Sequence, residues 1–259
     1  MMDWQEIFEP VRDELDIWYK EGQRAQLWLR DDDAVAPSDA LTRLVSISGA
    51  ANVPLLLCVV PETTCDALRA ALDGQLHVRI AVHGFGHHNH APAGQKPQEL
   101  GPHRPVMEVV SELQRARAKL QGLYDERLSG ILVPPWNRIC PEVVAHLREI
   151  GFCGLSTFGP AREADGHCHL VQLNTHLDII DWKGTRGGRD PQWLANELTK
   201  LLQRSRIDGA AAPIGVLAHH LVHDELAWNF LDELFMLTTE HPAADWCEAD
   251  ALVAQSQAG

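Results

Sequence analysis

Gln26-Leu27-Trp28-Leu29-Arg30-Asp31-Asp32-Asp33 is an apolar run that stops on three adjacent carboxylates. Two later segments end in a similar way: Leu76 to Val82 runs into His83-Gly84-Phe85-Gly86-His87, and Pro213 to Ala218 runs into His219. Adjacent carboxylates repel one another, so chain stability does not favour stacking three at a strand end, and a cation there reverses the balance. Alone, the aspartate triplet reads as a helix cap or a solvated acidic turn; the histidines tip the reading. One aspartate and two histidines can hold a divalent ion and leave a position open for water, the pattern of catalytic rather than structural zinc. That combination predicts a metal-dependent hydrolase.

Working outward, the apolar runs define the fold. Pro54-Leu-Leu-Leu-Cys-Val-Val60 has the continuous hydrophobicity of a parallel strand buried on both faces. Strands are predicted over 26–30, 54–60, 76–82, 128–133, 151–156, 169–173 and 213–218. Helices are predicted over 38–50 (capped by Ser38), 62–73, 107–122, 141–150 (Pro141 in its first turn), 190–205 and about 225–239, with a short tail beyond. Trp4, Phe8, Val11, Leu15 and Trp18 recur every three or four residues, marking an amphipathic helix over 3–22. Strands alternating with helices predict an α/β architecture, a β/α barrel rather than an open sheet. The barrel would occupy about 26–240 of a single domain spanning 1–259. The candidate residues follow the C-terminal ends of strands, where such folds place their chemistry.

At 259 residues and 45% hydrophobic, the chain can build a large core. A formal net charge of −14 argues against nucleic acid and anionic membrane surfaces as partners, since both require clustered Lys and Arg. The N-terminus is acidic and amphipathic, so no secretory signal is expected, and no 18-residue apolar run is present to span a membrane. Cys58, Cys65, Cys140, Cys153, Cys168 and Cys247 form no CxxC pair and read as reduced thiols of a cytoplasmic protein.

Of neighbouring aspartates, one can ligate a metal while another accepts a proton from the water that the metal acidifies. His83 and His87 are four apart, but Gly84 and Gly86 argue against a regular helix, leaving a glycine-rich turn after a strand to aim both rings. Gly84 also stands where the zinc-protease HExxH motif has its glutamate. In a chain with 14 histidines, HxxxH alone says little. His88, His90 and His103 crowd the same region as decoys or auxiliary ligands, and the polar, Pro- and Gly-rich segment 88–106 is long enough to cover a site. In Ile131-Leu-Val-Pro-Pro-Trp-Asn-Arg138, Pro134-Pro135 makes a stiff turn. Trp136 either walls a pocket beside a backbone N–H that faces an oxyanion or packs in the core. Asp178-Ile-Ile-Asp181-Trp182 reads equally as a site element or as a surface turn with a buried tryptophan.

Together and in this order, these segments resemble the five motifs of the NodB-type polysaccharide deacetylases (carbohydrate esterase family 4), across about residues 26–224. The resemblance implies a distorted seven-stranded (β/α) barrel. Arg30-Asp31-Asp32-Asp33 is similar to the family's TFDD motif, which makes Asp32 the base and Asp33 a metal ligand. His83 to His87 is similar to H[ST]xxH and supplies the other two ligands. Val133-Pro134-Pro135-Trp136 resembles the Arg-Pro-Pro-aromatic motif, which puts Pro135 and Trp136, together with Trp182, at the substrate and oxyanion. Asp178 to Trp182 resembles DxxDW, and Leu217-Ala218-His219 resembles LxH, whose histidine is the catalytic acid. Asp178 is then the partner that keeps His219 charged.

The departures are as informative. Val133 stands where relatives carry an arginine that steadies the base, leaving Arg30 and Arg138 as candidates to replace it. Ala34 replaces a glycine. Leu221-Val222-His223-Asp224 also fits the fifth motif; His219 is preferred because it directly ends a strand, whereas His223 lies further out. The resemblance implies one divalent ion, zinc first and cobalt or nickel as alternatives. It implies removal of N-acetyl groups, with O-acetyl a variant, from an acetamido sugar, glycan precursor or polysaccharide intermediate. The expected absence of a secretion signal makes the chain more similar to cytoplasmic branches that act on sugar precursors or on small amides. Two alternatives stay open: an amidohydrolase of the allantoinase-like branch, and a catalytically impaired barrel that binds carbohydrate or metal.

Overall fold

The computed structural model describes residues 2–161, 170–207 and 212–258. In chain order the elements are α1 (Trp4–Lys20), β1 (Ala25–Ala34), α2 (Asp39–Ala50), β2 (Leu55–Val59), α3 (Asp66–Ala71), β3 (Val78–His83), α4 (Val106–Tyr124), β4 (Leu128–Val133) and α5 (Pro141–Val144). They continue as β5 (Gly154–Leu155), β6 (Val171–Gln172), β7 (Thr175–Asp178), α6 (Pro191–Ile207), β8 (Ile214–Ala218), α7 (Glu225–Glu240), β9 (Ala244–Trp246) and α8 (Ala249–Ala258). The α/β class is as expected, but nine strands rather than seven stand among the described residues. The additions are β7 and β9, four and three residues long. Cys168 lies outside the described residues; the other five cysteines are free thiols.

The chain forms two compact units. The first comprises Met1–Asp31, Asp39–Leu55 and Thr175–Ala249. Its strands pair in parallel in the order β9-β1-β8-β7. Asp3 starts α1 by accepting the Gln5 and Glu6 N–H groups, satisfying donors that a helix N-terminus leaves open. The apolar stripe predicted for α1 is buried at Phe8, Val11, Leu15 and Trp18, worth roughly 1.5–3 kcal/mol for each large side chain removed from water. The helix packs on α6, and Arg206 joins them through Glu14 at 2.7 Å and Glu21 at 2.9 Å.

The second unit comprises Asp32–Ser38, Leu56–Asn174 and Asp250–Gly259. Its strands run β2-β3-β4-β5-β6, and the β3–β4, β4–β5 and β5–β6 pairs are parallel. Helix α4 makes the crossover from β3 to β4 and buries Val109, Val110, Leu113, Ala116 and Leu120 at helical spacing. Two predicted helices are shorter than expected. The 62–73 segment is helical only over α3. The 141–150 segment leaves helical pattern after Val144, where His146 and Leu147 donate to carbonyls three residues back and tighten the chain into turns. The expected short tail is instead β9 and α8. Leu252 and Val253 of α8 are buried, and its Asp250 accepts bonds from Arg79 of β3 and Ser129 of β4. No helix among the described residues is long and apolar enough to cross a membrane.

Candidate metal centre

Strand β3 ends on His83, which is 1% exposed. In register with it across the parallel β3–β4 pair is Val133, and His83 Nδ1 donates to the Val133 carbonyl at 3.0 Å. That bond fixes the proton on Nδ1 and leaves the Nε2 lone pair free to ligate. Val133, which stands where the resembled motif has arginine, therefore orients a candidate ligand through its backbone.

His83 Nε2 lies 3.1 Å from Asp33 Oδ1, and His87 Nε2 lies 3.1 Å from the same oxygen. The donor atoms of Asp33, His83 and His87 all fall within 4.8 Å of one another, and these three form the candidate metal-holding group among the described residues. Metal–ligand bonds of about 2.0–2.1 Å in tetrahedral geometry place neighbouring donors roughly 3.3 Å apart, close to this spacing. Two imidazole lone pairs aimed at one carboxylate oxygen repel unless a cation or protons stand between them, so the donor set fits a divalent ion. His83 is sealed in the core while His87 and Asp33 are 26% and 35% exposed, which leaves one side of the group open to solvent. Burial raises the Asp33 pKa, but where protons rather than an ion stand between the groups, hydrogen bonds and charge from the protonated His83 and His87 rings outweigh it and hold the carboxyl far below the usual range.

The backbone here is strained. Asp33 (φ 73°), His87 (φ 59°), Trp136 (φ 54°) and Asn137 (φ 57°) are non-glycine residues in the left-handed region. Such conformations cost of order 1–3 kcal/mol each and persist where the surroundings over-determine them, typically at functional sites. Trp136 lies in a turn after β4, its ring centroid 4.2 Å from that of His87, and Pro135 beside it is buried. The Asn137 and Arg138 amides bond the Pro134 and Pro135 carbonyls.

The remaining histidines of this region are engaged elsewhere. His88 faces Glu62 at 3.4 Å, and His90 accepts from Arg104 at 2.7 Å. Neither they nor His103 joins the metal group. Arg138, one candidate to replace the missing arginine, donates to the Pro97 carbonyl at 2.8 Å and so braces the 88–106 segment. The other candidate, Arg30, is fully buried in β1. Asp32 is 2% exposed.

In the first unit, Asp31 accepts from the His220 backbone N–H at 2.7 Å and from its Nδ1 at 2.5 Å, both side chains being buried. The triplet thus divides: Asp31 is an internal brace and Asp33 joins the metal group. His219 directly follows β8 and is 9% exposed, with the Trp182 ring edge-on at 4.7 Å. Asp178 accepts from Ile180 N–H at 3.0 Å and from the Trp182 indole at 2.9 Å. Burial raises its pKa, opposed by the field of His219 and by those hydrogen bonds. Asp181 instead closes a turn onto Gly184. Arg189 holds this stretch by donating to the Asp178 and Ile180 carbonyls while stacking on Trp193.

His223, four residues beyond His219, is largely buried and bonded. Its Nε2 accepts the His219 N–H at 3.3 Å, and its ring packs on Trp228 at 4.3 Å. Burial pushes its pKa down to about 4, Asp31 opposing that and His220 and His219 adding to it. It is neutral at pH 7. As pH falls below 6.5, the unfolded chain binds a proton that the folded one refuses until about 4. Stability is therefore lost across that window and is flat above it, by about 3 kcal/mol at most. His223→Gln, which keeps an acceptor, is expected to flatten this slope. Urea midpoints of chelator-treated wild type and variant at pH 7.5 and about pH 5 measure it, and parallel slopes would contradict the assignment.

No protein-family model matches the chain, and no curated protein matches it. Solved structures do. A structure from Mycobacterium smegmatis, provisionally assigned as a polysaccharide deacetylase, matches at 18% identity over 85% of this chain and 77% of that one, TM-score 0.61. A family 4 carbohydrate esterase from Streptococcus mutans matches at 14% identity over 92% and 90%, TM-score 0.59. A family 4 pseudoenzyme from Bacillus anthracis matches at 14% identity over 89% and 66%, TM-score 0.56. The chain has the fold of the family that its motifs resemble.

Proposed function

We propose that this protein is a metal-dependent deacetylase that hydrolyses the N-acetyl group of an acetamido sugar or glycan precursor, O-acetyl groups being a variant. One observation carries the reading: His83 and His87 converge on a single oxygen of Asp33 at the ends of β3 and β1, with one side open. A divalent ion held there, zinc by the donor set and cobalt or nickel as alternatives, supplies Lewis acidity toward water and an acetyl carbonyl. Asp32 accepts the proton of the attacking water. A backbone N–H near Trp136 is assigned to the oxyanion, and the Trp136 ring with Pro135 walls the acetyl group. The resemblance gives His219 the task of protonating the departing amine, with Trp182 packed on its ring and Asp178 holding Trp182. A cytoplasmic location is proposed with this reading, supported by the free thiols.

His219→Ala is expected to lower kcat by about 10²–10⁴-fold with metal content intact, and by less on an activated ester, whose leaving group needs little protonation. His223→Ala should cost much less turnover, because a histidine already neutral at pH 7 is a poor acid. A His223→Ala enzyme that is dead with metal bound, beside a near-normal His219→Ala enzyme, would reverse the roles.

Val133 and the likeness to a pseudoenzyme support a second reading, a barrel that binds ligand without turnover. The deciding experiment presents zinc-loaded protein with acetamido sugars, ureides and cyclic imides. Free amine and acetate from a sugar support deacetylation. Turnover of a ureide or imide without acetate indicates an amidohydrolase, and tight sugar binding without turnover indicates the impaired barrel.

A further inference from the structure

The turn that carries His87 has no side chain at position 84. Gly84 stands where the resembled motif has Ser or Thr, so no side chain at that position can brace the turn. Gly84 (φ 64°) and His87 (φ 59°) both adopt left-handed backbone. A Cβ on Gly84 would fall 1.9 Å from Glu99 Oε2 and 2.6 Å from Pro135 Cγ. The space that a side chain would occupy is taken by Glu99.

Glu99 comes from the 88–106 segment and is 2% exposed. Its two oxygens accept backbone N–H groups from the metal turn: Oε2 from Phe85 at 3.1 Å, and Oε1 from Gly86 at 2.8 Å and His88 at 3.4 Å. A buried carboxylate is costly unless hydrogen-bonded, and so are buried amides without acceptors, so each side of this arrangement requires the other. The donors flank His87 on both sides in sequence. The carboxylate therefore fixes the path of the backbone on which that ring is mounted.

The structure assigns Glu99 as the positioning residue of the metal site: it acts from outside the ligand set by clamping the Phe85–His88 turn so that His87 is held ready for the ion. The 88–106 segment is, on this view, a strap buckled to the metal turn. Asn89 Oδ1, accepting the Ala91 and Gln98 N–H groups, and Arg138, bonded to Pro97, hold the strap that presents Glu99.

Two variants separate this role from general instability. Glu99→Ala removes both acceptors. Glu99→Gln keeps the volume but offers one acceptor oxygen and turns an NH₂ donor toward backbone N–H groups. The inference rests on the metal reading, so zinc affinity is measured directly, by competition with a chromogenic chelator, on wild type and both variants. Residues that orient ligands typically contribute 10–100-fold to affinity. Glu99→Ala is expected to lose about that much, and Glu99→Gln a smaller part of it. In the metal-free proteins, hydrogen exchange at the Phe85 and Gly86 amides should accelerate in both variants, while amides in β3 and β4 stay protected. Wild-type zinc binding with unchanged affinity in a folded Glu99→Gln protein, or unchanged exchange at Phe85 and Gly86, would overturn the role of Glu99 and leave the metal site standing. A wild type that binds no zinc would overturn both.

Discussion

The His83→Ala/His87→Ala double variant is expected to purify without metal, where wild type carries about one divalent ion per chain, and to lose about 10⁴-fold or more in kcat. At 1.36 kcal/mol per decade, that is at least about 5.5 kcal/mol of transition-state stabilisation. The physical basis is the convergence of both Nε2 atoms on Asp33 Oδ1. Losing the His83 ring also leaves the Val133 carbonyl without that donor, at about 1–3 kcal/mol, and alanine at position 87 sits poorly at φ 59°. His87→Asn, which tolerates left-handed backbone, is therefore the control for folding. Elemental analysis of protein purified without added metal reads the result, and equal metal content in wild type and double variant would remove the assignment.

The second large effect separates two adjacent aspartates. Asp32→Asn is expected to keep its metal and lose about 10²–10⁴-fold in kcat, because an amide cannot accept the water's proton. Asp33→Asn is expected to do the opposite at the first step and bind metal weakly, since it removes the anionic ligand. Its metal-free fold should be intact, because asparagine suits the left-handed conformation at φ 73°. Metal titration and single-substrate kinetics on both variants give the comparison. Reversed phenotypes would mean that the motif is read one residue out of register.

The parts of the structure legible in the sequence are those written as local pattern. The long apolar runs of β2, β3 and β8 gave their own positions, and β3 and β8 lead straight to His83 and His219. The α1 stripe was equally plain. Thr175–Asp178 and Ala244–Trp246 were missed because four or three residues, partly polar, cannot show a period. Helix α8 reads as a tail because Leu252 and Val253 are its only large apolar side chains, too few to mark a stripe; those two and the bonds to Asp250 hold it.

At the site, ligands at strand ends could be read, but what steadies them could not. Glu99 acts on backbone amides 11 to 14 residues away, and a bond to a peptide N–H leaves no signature in residue type. The Asp31–His220 brace joins residues 189 apart, and the adjacent His219-His220 pair is the only local hint of it. The bond that ties His223 to the His219 amide is equally invisible in the sequence, because it too runs to a peptide N–H.

The central claim is that Asp33, His83 and His87 hold an ion on which deacetylation depends. The most direct measurement titrates chelator-stripped protein with zinc while following acetate released from an N-acetylated sugar. Acetate release should be absent without zinc, rise with added ion and saturate at about one ion per chain, in step with free amine. Acetate release that persists in the stripped protein, or full zinc occupancy of a site formed by these three residues with no acetate from any N-acetylated sugar, would contradict it.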